Sequence, residues 1–180
     1  VAISKRPEID QWIISLLNTL VKEVNANYTD YEPTRAGRAI SNFVSDNLSN
    51  WYVRLNRRRY WAGTMTQDKL SAYQTLYTCL ETISRLMAPI APFFADQLFL
   101  DLNNVTGKDT NISVHLTKFP TYNENLINKL LENRMDVAQT ITSMVLALRK
   151  KVNIKVRQPL SSIMIPILED EMKNNIMAIK

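Results

Sequence analysis

An all-α fold, an antiparallel helical bundle with a short α/β extension at its C-terminal end, is predicted by three features of the sequence. Apolar residues recur at spacings of three and four in four long stretches, as they do in a helix with one buried stripe. Only 3 glycines occur in 180 residues, too few for a hairpin-rich or phosphate-loop architecture, because tight turns and close backbone approach to a phosphate need glycine. Prolines at 33, 89 and 92 fall where stretches begin or break, as expected of a residue that lacks a backbone donor.

The first stretch, residues 8–28, places Ile9, Ile13, Leu16, Leu17, Leu20 and Val24 on one stripe. A polar run from Asn25 to Pro33 ends it. The second starts near Pro33 or Thr34, since proline suits the first helical turn. Its inward residues are Ile40, Phe43, Val44, Leu48, Trp51, Tyr52 and Leu55, and Gly63 and Thr64 stop it. The third runs from about Gln67 with Leu70, Tyr73, Leu76, Leu80, Ile83 and Met87 inward. Pro89 and Pro92 then break or kink it, and it resumes toward Leu102. Residues 103–123 form a connection in which ISVHLTKFP could be extended. The fourth, about 124–152, carries Ile127, Leu131, Ala138, Ile141, Val145, Leu148 and Val152. Beyond it KVRQPLSSIMIPIL changes character, and its alternating β-branched residues read as a strand. The expected domains are therefore a bundle over 1–152 and the start of an α/β module over 153–180.

Hydrophobic content of 46% and charged content of 22% are ordinary for a globular protein. The apolar runs fall short of the roughly 20 residues a membrane span needs, so no membrane is an expected partner. One cysteine, Cys79, cannot form an internal disulfide, which suggests a reducing compartment such as the cytoplasm. The chain opens at Val1 without an initiator methionine and stops at Lys180 inside an amphipathic stretch. An excised piece of a larger protein is expected.

The net charge of +5 is concentrated in two windows. Arg54, Arg57, Arg58 and Arg59 occupy one; Arg149, Lys150, Lys151, Lys155 and Arg157 occupy the other. Neither window holds an acid, and elsewhere 13 cations face 17 anions. Clustered cations on a mildly acidic body suit a polyanion, although a solvated face remains the plainer reading of any one run. On a helical wheel of 100° per residue, Trp51, Tyr52 and Leu55 of NWYVRLNRRRYW (50–61) continue the buried stripe. Arg58 and Arg59 flank it, where either one could be an ion-paired structural residue. Arg54, Arg57 and Trp61 fall at i, i+3 and i+7 on a flank clear of the core. Two guanidinium groups beside an indole suit RNA, one kind gripping phosphate and the other stacking on an unpaired base. In the second window the helix dipole accounts for Lys150 and Lys151, but not for Lys155, Arg157 and Gln158 beyond the helix end.

No catalytic constellation is visible. A single histidine, His115, and a single cysteine give no zinc set or nucleophilic pair. Cys79 reads as a small buried apolar residue and His115 as a hydrogen-bonding structural group.

DQWIISLLN (10–18), NLSNWYVRLNRRRYW (47–61), LYTCLETISRLMAPIAPFFADQLF (76–99), SVHLTKFP (113–120) and NIKVRQPL (153–160) stand in order along the chain. Together they resemble the C-terminal helical domain of class I aminoacyl-tRNA synthetases of the branched-chain group, with the isoleucine-specific branch nearest. The resemblance implies an anticodon-binding bundle that holds the anticodon stem and loop of tRNA(Ile). It also implies a Rossmann-type catalytic core elsewhere in the polypeptide, which uses ATP and Mg²⁺ to charge the tRNA. The His-x-Gly-His and Lys-Met-Ser-Lys-Ser signatures of such a core do not occur in these 180 residues. The chain itself is thus expected to be non-catalytic, without cofactor or metal. The expected RNA contacts are Arg54, Arg57, Arg58 and Trp61 in one strip and Lys150, Lys151, Lys155, Arg157 and Gln158 in another. Cations would mostly meet phosphates, while Trp61 and Gln158 could touch bases. The valine- or leucine-specific equivalent is an alternative. So is a helical scaffold that docks on acidic surfaces of its parent protein.

Overall fold

The structure is a computed structural model that describes residues 1–61, 63–167 and 170–178. The chain divides into two compact units, Val1–Ile127 and Asn128–Lys180. Among the described residues every regular element is helical, and no helix is long and apolar enough to cross a membrane. The all-α reading is borne out.

In the first unit, α1 (Glu8–Thr29) is the central element. Its single expected stripe understates its burial. Trp12, Ile14 and Val21 are covered along with Ile13, Leu17, Leu20 and Val24, because α1 has neighbours on several sides. Each large apolar side chain so enclosed contributes about 1.5–3 kcal/mol. Tyr31 follows α1 in the left-handed region at φ 58°, and α2 (Pro33–Asn42) starts on its proline.

The second expected helix is not uniform. It widens to π geometry over Phe43–Val53 before a short α3 (Arg57–Trp61). The Arg54 N–H donates to the carbonyl of Ser49, five residues back. Wider turns retard the rotation of later residues relative to a 100° wheel. The buried positions accordingly run Phe43, Leu48, Tyr52, Asn56 and Tyr60. Leu55, expected inward, is 57% exposed, and Trp51 is only half-buried.

α4 (Gln67–Met87) is capped by Thr66, whose hydroxyl accepts from the Lys69 N–H at 3.1 Å. Along its first half the innermost side chains are small, Ser71, Ala72, Thr75 and Cys79, before Ile83 and Leu86 take over. The small ones let neighbouring elements approach closely, so the larger Leu70 and Tyr73 are displaced to exposed flanks. The proline block breaks the helix as expected. α4 stops at Met87, the Ile90 and Ala91 N–H groups fold back on its carbonyl, and α5 (Pro92–Thr106) starts at Pro92. Gly107, at φ 57°, ends α5 in the left-handed conformation that glycine adopts without a Cβ clash. The segment at 113–120 is pinned to α5 by Asp96, which accepts from the Ser113 hydroxyl and the Val114 N–H at 2.8 Å each. It forms a 3-10 turn over Val114–Leu116 rather than a strand.

In the second unit the fourth expected helix is present as α6 (Lys129–Lys151), capped by Asn128 and followed by Asn153 at φ 55°. α7 (Asp170–Ala178) follows. The strand read in KVRQPLSSIMIPIL does not form among the described residues; residues 162–167 have no regular structure. A strand exists through its ladder partner, and the described residues offer none.

Candidate nucleic-acid interface

The basic ridge of the first unit is built around a buried anchor. Asp10, on the inward face of α1, is fully enclosed. Its Oδ1 accepts from Arg59 Nη1 at 2.6 Å and from the Tyr52 hydroxyl at 2.8 Å, while Oδ2 accepts from Arg59 Nη2 at 2.9 Å. Arg59 Nε also donates to Asp68 Oδ2 at 3.0 Å, and Nη1 to Asn56 Oδ1 at 2.8 Å. Hydrogen bonds to Asp10, more than the opposing burial, hold the guanidinium still more firmly protonated than usual. Burial pushes the Tyr52 phenol well above its ordinary value and that of Tyr60 up to about 12. Tyr60 packs edge-on against Tyr73, ring centroids 5.3 Å apart, and its carbonyl accepts from the Tyr73 hydroxyl at 3.2 Å. A five-residue helix would not hold in isolation; these contacts fix α3.

With Arg59 and Tyr60 turned inward, Arg54, Arg57, Arg58 and Trp61 turn out. All four are exposed, Trp61 to 69%. Arg57 Cζ lies 4.0 Å from the Trp61 ring centroid, a cation–π stack. Among the described residues no carboxylate pairs with Arg54, Arg57 or Arg58. Of the two arginines that could have been structural, Arg59 is and Arg58 is not.

The second cluster lies in the other unit. Lys150 and Lys151 close α6, while Lys155, Arg157 and Gln158 follow it, and all five are exposed. Arg149 differs from its neighbours. Its Nη1 donates to the carbonyls of Lys155 and Gln158, each at 2.9 Å, and its own carbonyl accepts from the Ile154 N–H at 2.9 Å. It is the clasp that folds the basic loop against the helix end.

Asp10 was the residue missed from the sequence. The available signal was an acid on the apolar stripe, three residues before Ile13 and seven before Leu17. Cys79 is fully buried with its thiol pushed up by burial, as its apolar reading required. His115 sits exposed in the 3-10 turn, where its backbone N–H donates to Ser113 Oγ at 3.3 Å.

A helical module that presents an arginine–indole ridge, with no carboxylate paired to it among the described residues, has the charge pattern of the nucleic-acid-contacting class of helical domains. The family described as the anticodon-binding domain of tRNA ligase matches residues 10–165, and the chain belongs to it. Among similar proteins, the isoleucine–tRNA ligase of Bacteroides fragilis is 67% identical over 178 residues, covering 99% of this chain and 16% of the relative. That of Bacteroides thetaiotaomicron is 65% identical over the whole chain, again 16% of the relative. That of Porphyromonas gingivalis is 61% identical, over 15% of its length. The chain thus spans about a sixth of the curated relatives it matches.

Proposed function

We propose that this chain is the domain of an isoleucine–tRNA ligase that grips the anticodon stem and loop of tRNA(Ile). Arg54, Arg57 and Arg58 meet backbone phosphates, Trp61 stacks on an unpaired base, and Lys150, Lys151, Lys155, Arg157 and Gln158 make a second contact strip. The observation that carries the reading is the exposed Arg57–Trp61 stack, held beside an arginine whose own charge is spent on Asp10. Phosphate contact through arginine sets position, and stacking tolerates any base face. The parent polypeptide charges its tRNA in the cytoplasm using ATP and Mg²⁺ bound in its catalytic core. The described residues bring together no three His, Cys, Asp or Glu side chains able to hold a metal ion.

The test is binding of the 180-residue chain to anticodon stem-loops of isoleucine, valine and leucine tRNAs across a salt series. Tightest binding to the isoleucine stem-loop is expected, with log affinity falling linearly against log salt. The Arg54→Ala, Arg57→Ala double variant should flatten that slope by about two units. Unchanged affinity and slope in that variant would remove the first strip. The pure chain should also show no isoleucine-dependent ATP–pyrophosphate exchange.

A further inference from the structure

The first unit carries an apolar groove at a different stretch of the helical run that ends in the arginine ridge. Gly37, Ile40, Ser41 and Val44 line one wall, while Ile83, Met87, Ile90, Phe94 and Leu98 from α4, the proline turn and α5 line the other. Its volume is about 380 Å³. The walls meet at ordinary contact distance, since a Cβ on Gly37 would stand 3.4 Å from Ile90 Cδ1. No charged side chain lines the groove. Phe94, which lines it, is 61% exposed, and Phe93, next in the sequence, is 90% exposed. Two adjacent phenylalanines in water beside an apolar groove mark a protein-contact surface.

We propose that this groove seats an apolar segment of the same polypeptide from outside these 180 residues, with Phe93 and Phe94 as its anchors. The proposal rests on reading the chain as one domain of a longer ligase. Three observations choose the occupant. RNA is disfavoured because its phosphates would meet no counter-charge along an uncharged lining. The relatives are about six times longer than the matched region, so a large body of further chain must be attached to this domain somewhere. The groove is also offset from the RNA ridge, since Gly37–Ser45 precedes Arg54 by nine residues on the same run. One part of the rod is therefore left for RNA and another for the parent enzyme. Exposed aromatic anchors that fill pockets dominate such interfaces.

The experiment compares hydrogen exchange over residues 87–98 in the 180-residue chain and in the full-length polypeptide. Exchange about tenfold slower in the full-length protein is expected. Two variants should abolish that protection: Phe93→Ser with Phe94→Ser, which removes the anchors, and Ser41→Trp, which plugs the groove. All three positions are exposed, so the melting temperature of the 180-residue chain should be unchanged. Stem-loop affinity of that chain should be unchanged as well. Equal exchange in the two wild-type proteins would overturn the proposal. So would a loss of stem-loop affinity in either variant, which would assign the groove to RNA. A wild-type dimer in sedimentation that the phenylalanine variant dissociates would assign it to a second copy. Failure of the wild-type chain to bind any stem-loop would instead sink the RNA reading, leaving the exchange result interpretable.

Discussion

Arg59 and Asp10, 49 residues apart in sequence, meet in a two-pronged ion pair with contacts of 2.6 and 2.9 Å. The arginine side chain retains 15% exposure and the carboxylate none. Removing the cation alone would leave a buried charge without compensation. Arg59→Leu is expected to cost about 3–5 kcal/mol in urea unfolding. Arg58→Ala, on the exposed side of the same turn, should change stability by no more than about 0.5 kcal/mol. Similar losses from the two variants would contradict the division of the triplet into anchor and ridge.

The Arg57–Trp61 stack separates charge from shape. Trp61→Ala should lose about 1–3 kcal/mol of stem-loop binding without altering the salt slope. Arg57→Ala should flatten the slope by about one unit. Trp61→Phe keeps a stacking face and should recover part of the affinity. A slope that moves with Trp61 and not with Arg57 would reverse the assignment.

Arg149 tests whether a cation in a basic cluster binds RNA or arranges its neighbours. A phosphate contact tolerates lysine. A bridge between two carbonyls depends more on placement: here a single nitrogen, Nη1, reaches both, held by a planar group that a flexible ammonium stem does not reproduce. Arg149→Lys is therefore expected to weaken stem-loop binding nearly as much as Arg149→Ala, whereas Lys155→Arg should be neutral. Near wild-type affinity in Arg149→Lys would make it an ordinary phosphate contact.

The tyrosines give the alkaline limb of stability. The folded-state value for Tyr60, about 12, lies above its ordinary 10.0. The stabilisation is therefore complete below pH 10 and is lost as pH rises toward 12. Tyr52 shifts in the same direction. Melting temperature should decline across that window, with a shallower decline in Tyr60→Phe. Equal declines would remove Tyr60 as a contributor.

How much of this was legible beforehand depended on how local each feature is. The α1 stripe, the break between Met87 and Pro92, and the outward spacing of Arg54, Arg57 and Trp61 follow from rules that act within a few residues. Leu55 was misplaced because the π segment before it alters the helical phase. Leu70 and Tyr73 were misplaced because periodicity marks large apolar residues, whereas the close face of α4 is made of Ala72, Thr75 and Cys79. The choice of Arg59 over Arg58 as anchor depended on Asp10 in another helix, and no spacing rule reaches that far. Nor does the sequence pattern distinguish Arg149 from Lys150, since the carbonyls it clasps converge only when the loop folds.

Cys79 supplies the molecule with an internal clock. Its sulfur is sealed among the helices at zero exposure, and it is the chain's single thiol. An aromatic disulfide reagent can reach it only when the helices part, because a buried thiol with a raised pKa is inert. At reagent concentrations where labelling outpaces reclosing, the labelling rate of the unmodified protein therefore counts those openings. Bound RNA that braces the helices would slow the count, and no engineered probe is needed to read it.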